Sequence, residues 1–308
     1  MIIKCVITVA IFFIVIAIYF PARHARRYDY IRLENVSREL VLKVRQGSEE
    51  NLPKCAYDDV ILNNQHIEVS KINYFKTFIK PKAGGEYVPK NCSALIKTAL
   101  IVPYRNRTEQ LTLFVNYMHT FLQNQNIHYR IFVAEQKDML PFNRGKMMNY
   151  GAKLAMELEY DCLILHDVDL IPLTTGNLYG CFNKPRHMSC NLDSFRYNLP
   201  YLTLFGGATA IVSDQFKKIN GMSNKFFGWG GEDDEFYSRL QSANLVPYRF
   251  SPEISKYSMQ VHKRALPSKD RYEKLENSAD YRNKDGLNSL TGQYSVVLEK
   301  LFTRILIY

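Results

Sequence analysis

Residues 160–173 read YDCLILHDVDLIPL. The apolar run 162–165 has the length and composition of a strand buried on both faces, and it ends in acid, at Asp167-Val168-Asp169. Two apart on an extended backbone, Asp167 and Asp169 face the same way, and at a strand end they converge. Carboxylates that close raise each other's pKa unless a cation lies between them. A hard or borderline divalent ion is the natural partner. The competing reading is an N-cap followed by a solvated turn.

The flanking sequence repeats one alternation. ALIKTALIVPYRNR (94–107) is a buried strand ending in a Pro-Tyr-Arg turn, and TEQLTLFVNYMHTFLQNQ (108–125) has apolar residues at helical spacing. HYRIFVAEQ (128–136) is a second strand, NRGKMMNYGAKLAMELE (143–159) a second amphipathic helix, and 160–173 the third strand. This predicts an α/β domain with a mostly parallel sheet. Such sheets bind ligands beyond the C-terminal ends of their strands, which is where PYRNR and HDVD fall.

Residues 226–235, FFGWGGEDDE, hold the chain's one Trp, three glycines and four adjacent carboxylates. Gly228, Gly230 and Gly231 permit positive φ and a close approach to a ligand. Trp229 supplies a stacking face and an N–H donor. Glu232 and Asp233 suit sugar hydroxyls, and one of them can take a proton from an attacking hydroxyl. The bland alternative is a helix start, where acids suit the macrodipole; both hold if the helix aims its first residues into a cleft. Arg105, Arg107 and Arg144 lie at loop edges after strands, where Arg pairs bidentately with phosphate, and Phe142 or Tyr104 can pack on a base. In YSMQVHKR (257–264), Met259 and His262 are spaced to share one ligand, and beside an Asp-x-Asp site His262 becomes a candidate metal ligand.

The 308 residues carry a net charge of +10. No helix-turn-helix, zinc-finger or RRM signature is present, which excludes the usual nucleic-acid modules. No Walker loop or G-x-G-x-x-G follows a strand, which disfavours ATPase and dinucleotide sites; a nucleoside diphosphate suits a localised basic site better. The 21 Tyr and 18 Phe favour a packed core and a cleft where sugar rings stack. The apolar run 5–20 predicts a signal anchor, rather than a cleaved signal peptide, after a tail at 1–4. Arg23, Arg26 and Arg27 follow it and only Lys4 precedes it, against the positive-inside tendency for a lumenal C-terminus. Five further cysteines without zinc spacing, enough for two disulfides, and sequons at Asn35, Asn91 and Asn106 point to a secretory lumen instead. Residues 21–50, polar and without apolar periodicity, read as a stem, and 51–308 as the lumenal catalytic domain.

IVPYRNR, FNRGK, HDVDLIP, LPYLTLFGG, NGMSNKFFGWGGEDDEFYSRL, MQVH and DGLNSLTGQY occur in one order over residues 52–295. In that order they resemble the animal β-1,4-galactosyltransferases. The resemblance implies a GT-A fold, a Golgi type II anchor, a UDP-sugar donor and Mn²⁺. It also implies inverting transfer to the 4-hydroxyl of a terminal N-acetylglucosamine on a glycoprotein or glycolipid. By motif position, Asp169, Met259 and His262 would be metal ligands and Asp233 the catalytic base. Glu232 and Gly230 would hold the donor sugar, with Asp167 nearby. Pro103, Arg105, Arg107, Phe142, Arg144, Val168 and Trp229 would hold UDP. Gly231, Glu232, Asp233 and Asp234 would meet the acceptor, each of the crowded carboxylates having its own work on sugar hydroxyls. The family's disulfides would be Cys55–Cys92 and Cys162–Cys181, leaving Cys190 free.

Two positions depart from the family pattern. Leu204 stands where galactose-specific relatives carry Tyr against C2 of the donor sugar; it is shorter and has no hydroxyl, so N-acetylgalactosamine should fit, the bland alternative being a strand residue in YLTLF with no say over the donor. Ser194 stands where relatives carry a Lys near the phosphates, with Arg196 a candidate substitute. The rival readings are a strict galactosyltransferase using UDP-galactose, a glycan-binding protein without turnover, and a nucleotide-sugar hydrolase.

Overall fold

The computed structural model describes residues 2–25, 30–45, 52–74, 78–262 and 265–308. Its strands are β1 (Glu86–Tyr87), β2 (Lys97–Tyr104), β3 (His128–Gln136), β4 (Cys162–His166), β5 (Leu170–Pro172), β6 (Arg186–His187), β7 (Asn191–Leu192), β8 (Ala208–Val212), β9 (Tyr248–Arg249), β10 (Lys256–Met259), β11 (Tyr294–Leu298) and β12 (Thr303–Ile307). The larger sheet runs β11-β12-β3-β2-β4-β8-β6-β9, with β1 beside β3. Its centre, β12-β3-β2-β4, is parallel, while β4-β8 and β6-β8 are antiparallel. β2, β3 and β4 alternate with helices in sequence, as expected where a crossover must return the chain to the same end, while β12 joins β3 in parallel after an antiparallel pairing with β11.

Side-chain alternation along these strands builds two cores. Leu100, Val102, Ile131, Val133 and Ile164 point to the side covered by the helix Thr108–Gln123, with Phe114 and Met118 in the same cluster. Ile101, Phe132, Ala134, Leu163 and Leu165 point to the other side, against Met147 and Met148 of the helix Arg144–Glu157 and Phe236 of the helix Glu232–Ser242. The continuous apolar runs read from the sequence are therefore strands buried on both faces. Cys55 is bonded to Cys92 and Cys162 to Cys181, and Cys190 is buried and unpaired.

Two sequence expectations change. The third strand is not continuous: β4 stops at His166, the Asp-x-Asp makes a turn with Leu170 N donating to Asp167 O at 3.3 Å, and β5 joins a separate three-stranded sheet, β5-β10-β7. The Asp167 N–H goes to Gly207 O instead of a ladder partner. Residues 30–45, within the stretch read as stem, pack on the domain. Ile31, Val36 and Leu40 are buried in the first core, Val41 N donates to Cys181 O and Lys43 N to Leu95 O. Lys43 and Arg45 both pair with Asp161. Those three apolar residues have no helical or strand period, so the sequence pattern hid them.

The leader forms one helix, Ile2–Ala25, with exposed apolar side chains such as Ile3, Phe12 and Ile18. Among the described residues no helix is long and apolar enough to cross a membrane. The side chains described in this helix end at position 19, so the run 5–20 is not covered in full. Arg26 and Arg27, and the expected stem residues 46–50, lie outside the described residues.

Candidate active site

The site lies where the sheet's centre ends. Beyond β2, the Arg105 guanidinium lies 5.3 Å from the centroid of the Phe142 ring and donates to Leu140 O at 2.6 Å. Pro103 is inside β2, opposite Ala134. Phe142 O in turn accepts from Gly228 N at 2.8 Å, which fastens the glycine-tryptophan loop to this wall. Trp229 is 57% exposed, its carbonyl accepting from Ser268 N at 3.0 Å. The loop has positive φ at Gly228, Gly230 and Gly231, and its indole lies outside both cores.

The two aspartates part company. Arg144 opens the helix Arg144–Glu157 and donates from Nε to Asp167 Oδ1 at 2.6 Å, and its Nη1 lies 3.8 Å from Glu232 Oε1. Burial works against the Arg144 charge, and Asp167 and Glu232 more than offset it, so it is held above its usual range. In this structure Arg144 thus pairs with two carboxylates. Asp169 turns the other way, with Oδ2 3.1 Å from His262 Nδ1 and 3.9 Å from Arg107 Nη1. Burial, then Asp167, push Asp169 up to about 6.

His262 arrives through the second sheet. Met259 pairs with Leu170 across β10 and β5, and Gln260 N donates to Asp169 O at 2.7 Å. Gln260 Nε2 donates to Val168 O at 3.1 Å. Asp193, to which the sequence reading gave no role, braces this arm: Oδ1 accepts from Met259 N at 3.0 Å and Oδ2 from Ser258 Oγ at 2.5 Å. Only its position beside Ser194 in the departing motif hinted at it. Arg196 lies exposed with φ 53°.

The carboxylate run starts a helix. Gly231 is its N-cap at φ 94°, a left-handed turn that lets the chain enter the helix from the loop. Glu232 is pushed up to about 7, first by burial and then by Asp233. Asp233 is raised by burial and by Asp234. A Cβ on Gly206 would stand 2.5 Å from Asp233 Oδ2, so only glycine leaves this carboxylate its place. Asp234 accepts from Tyr201 Oη at 3.1 Å. Leu204, half-buried, closes the 201–204 turn by donating its N–H to Tyr201 O at 3.3 Å. Glu235 is the exception to the sugar-hydroxyl reading of the run: fully buried, it pairs with Arg239 at 2.7 Å and is structural.

Two orphan atoms show what the cleft lacks. Arg107 Nη1 is buried without a hydrogen-bond acceptor, and Glu232 Oε2 without a donor. Buried polar atoms are ordinarily satisfied, so these are an unused donor and an unused acceptor. Among the described residues no three of His, Cys, Asp and Glu form a metal-holding group. What the chain offers a metal is a carboxylate, an imidazole and a thioether, at Asp169, His262 and Met259. His262 Nδ1 lies 3.0 Å from Gln260 O and 3.1 Å from Asp169 Oδ2, so it is Nδ1 that faces the carboxylate. This mixed O, N, S set fits a borderline divalent ion.

Residues 49–182 match the model of the N-terminal region of glycosyl transferase group 7, and residues 186–263 that of the N-terminal domain of galactosyltransferase. Beta-1,4-galactosyltransferase 1 of Bos taurus is 41% identical over 216 residues, 69% of this chain and 54% of that protein, so the chain spans about half the length of that relative. Beta-1,4-galactosyltransferase 6 of Homo sapiens is 37% identical over 258 residues, covering 82% of this chain and 68% of that protein. Among solved structures, the catalytic domain of Drosophila beta1,4galactosyltransferase 7 in complex with xylobiose matches at 30% identity and TM-score 0.58, over 69% of this chain and 92% of that one. A point mutant of the same Drosophila protein, in complex with manganese, UDP-Gal and xylobiose, matches at 29% identity and TM-score 0.55, with the same coverage of 69% and 92%. The domain has the GT-A fold, and the chain belongs to the animal β-1,4-galactosyltransferase family.

Proposed function

We propose that this chain is an inverting, Mn²⁺-dependent glycosyltransferase that moves N-acetylgalactosamine, and less readily galactose, from the UDP-sugar to the 4-hydroxyl of a terminal N-acetylglucosamine. The acceptor is carried by a glycoprotein or glycolipid. The observation that carries the proposal is the pairing of two complementary sites around Asp167-Val168-Asp169: Asp169 with His262 on one side, and Asp167, through Arg144, with Glu232 on the other. Asp169, Met259 and His262 would hold Mn²⁺, whose charge offsets the negative charge developing on the departing diphosphate. Arg107, with its orphan Nη1, would pair with phosphate, and Arg105 and Phe142 would face the base. Trp229 would cover the donor, and Glu232 Oε2 would accept from a hydroxyl of the donor sugar. Asp233 would take the proton of the acceptor 4-hydroxyl as that oxygen attacks the anomeric carbon from the face opposite UDP. Residues 5–20 would anchor the chain in the Golgi membrane as a type II protein with the catalytic domain in the lumen.

The donor reading rests on Leu204. The deciding experiment compares UDP-N-acetylgalactosamine with UDP-galactose on an N-acetylglucosamine acceptor in the presence of Mn²⁺, for the wild type and for Leu204→Tyr. The wild type is expected to use the N-acetylated donor at least as well as galactose. Tyr at this position should reduce the ratio roughly tenfold or more, the scale on which a pocket discriminates small substituents. A wild-type preference for galactose would overturn the donor assignment and leave the transferase standing. Absence of transfer from either donor would overturn both.

A further inference from the structure

Arg249 is buried, at 6% exposure, on the edge strand β9, away from the carboxylates and the Asp169–His262 pair. An Arg stays charged at every accessible pH, so burying it costs several kcal/mol unless acceptors surround it. The acceptors it has found are informative. Its Nη2 donates to Leu202 O at 2.9 Å and lies 3.4 Å from Leu204 O. Two carbonyls further on, Gly206 O accepts from His187 Nε2 at 3.1 Å and from Ser189 Oγ at 3.2 Å. The stretch 202–206 is therefore held by its carbonyls from one side. Its other contacts belong to the site: Tyr201 Oη donates to Asp234, and Gly206 lies against the Asp233 carboxylate. Leu204 is between them.

The strand that carries Arg249 is itself held on both edges. His187 of β6 pairs with it on one side. On the other, Tyr30 forms a bridge to Arg249, and Ile31 N donates to Arg249 O at 2.9 Å. The segment that reads as a stem is thus the outer buttress of a strand whose side chain supports the Leu204 turn.

We propose that Arg249 is a positioning residue for donor selection: it sets the Leu204 wall against the donor sugar, and the strap 30–45 locks it in place. This rests on the transferase reading above and adds to it a residue that touches neither donor nor acceptor. A turn released from its two carbonyl anchors can sag, and a pocket that discriminates one small substituent is sensitive to such a movement. Both carbonyls are met by the single Nη2, and the shorter Lys side chain brings its ammonium less far toward that position.

The test uses the full chain with Arg249→Met, Arg249→Lys and Ile31→Pro, the last removing the N–H that Arg249 O accepts. Calorimetry in Mn²⁺ measures affinity for UDP and for UDP-N-acetylgalactosamine, and assays measure the ratio of kcat/KM for the two donors. Arg249→Met is expected to weaken the UDP-sugar about tenfold, the scale on which a displaced pocket wall changes the fit of one small substituent. UDP alone should change by less than about twofold to threefold on the same scale. The donor ratio should shift, with Lys intermediate and Ile31→Pro moving in the same direction. A merely structural residue would weaken UDP and UDP-sugar alike, or lower the melting temperature without moving the donor ratio, and either result overturns the proposal. Should Arg249→Met fail to fold, the Lys and Pro variants carry the same comparison. A wild type that binds both ligands but transfers from neither donor defeats the transferase reading, while the UDP-versus-UDP-sugar comparison still judges Arg249.

Discussion

Asp233→Asn should lower kcat by at least about a hundredfold, because general-base assistance is worth roughly 10²–10⁴-fold and an amide cannot supply it. Asn has the same shape, and Gly206 leaves the same space for it, so the variant should fold and bind UDP as the wild type does. The pH profile gives a second reading. Burial and Asp234 raise Asp233, and burial and Asp233 raise Glu232 to about 7. A base must be ionised to act, so wild-type kcat/KM should fall as pH drops through the titration of this pair. The acid limb should move or flatten in the Asn variant. Steady-state rates with saturating donor and acceptor, and calorimetric titration with UDP, measure both effects. A near-normal rate with a normal acid limb would take the proton-accepting role from Asp233.

Arg239→Met is expected to destabilise the domain by about 3–5 kcal/mol, the cost of leaving a buried charge without its partner. Arg239 Nε donates to both Glu235 oxygens, at 2.9 and 2.7 Å, and Nη2 lies 3.6 Å from Asp285 Oδ2. Both side chains of the Glu235–Arg239 pair are completely buried, and Nη1 reaches Asn220 O at 3.3 Å. Without Arg239, Glu235 and Asp285 would face each other with Arg282 the remaining cation nearby, its Nε 3.5 Å from Glu235 Oε1. Glu235 is already raised by burial, with Arg239 pulling it down; losing that cation raises it further. A carboxyl whose folded pKa exceeds its unfolded one binds more protons when folded, so the variant's deficit should shrink as pH falls. Urea midpoints at neutral and mildly acidic pH test both statements. Adding Glu235→Leu should recover part of the loss, since apolar replacement of a buried pair is often neutral. A deficit below about 1 kcal/mol, the range of exposed pairs, would refute the assignment.

The pair also shows where local reading stops. In EDDE the four acids are alike by sequence. Glu232 and Asp233 face the cleft because they occupy the first turn after Gly231. One turn deeper in the helix, Glu235 is fully buried and meets Arg239 and Arg282. Arg144 is similar: any Arg after a strand suits a phosphate, and only the meeting of its helix with Asp167 and Glu232 shows that it pairs with carboxylates as well.

The sequence by itself determined the three parallel strands β2, β3 and β4 and the helices between them, and it named the residues proposed for the site. Periods of 2 and 3.6 are local properties of the backbone, and glycine-acid and Asp-x-Asp motifs keep their chemistry in a short span. The tertiary structure alone decided that the Asp-x-Asp is a corner between two sheets and that Asp193 steadies the Met259 arm. It also decided that residues 30–45 belong to the domain. Each of these depends on partners far away in the chain, chosen by which buried donors and acceptors remain unsatisfied once the sheet has closed.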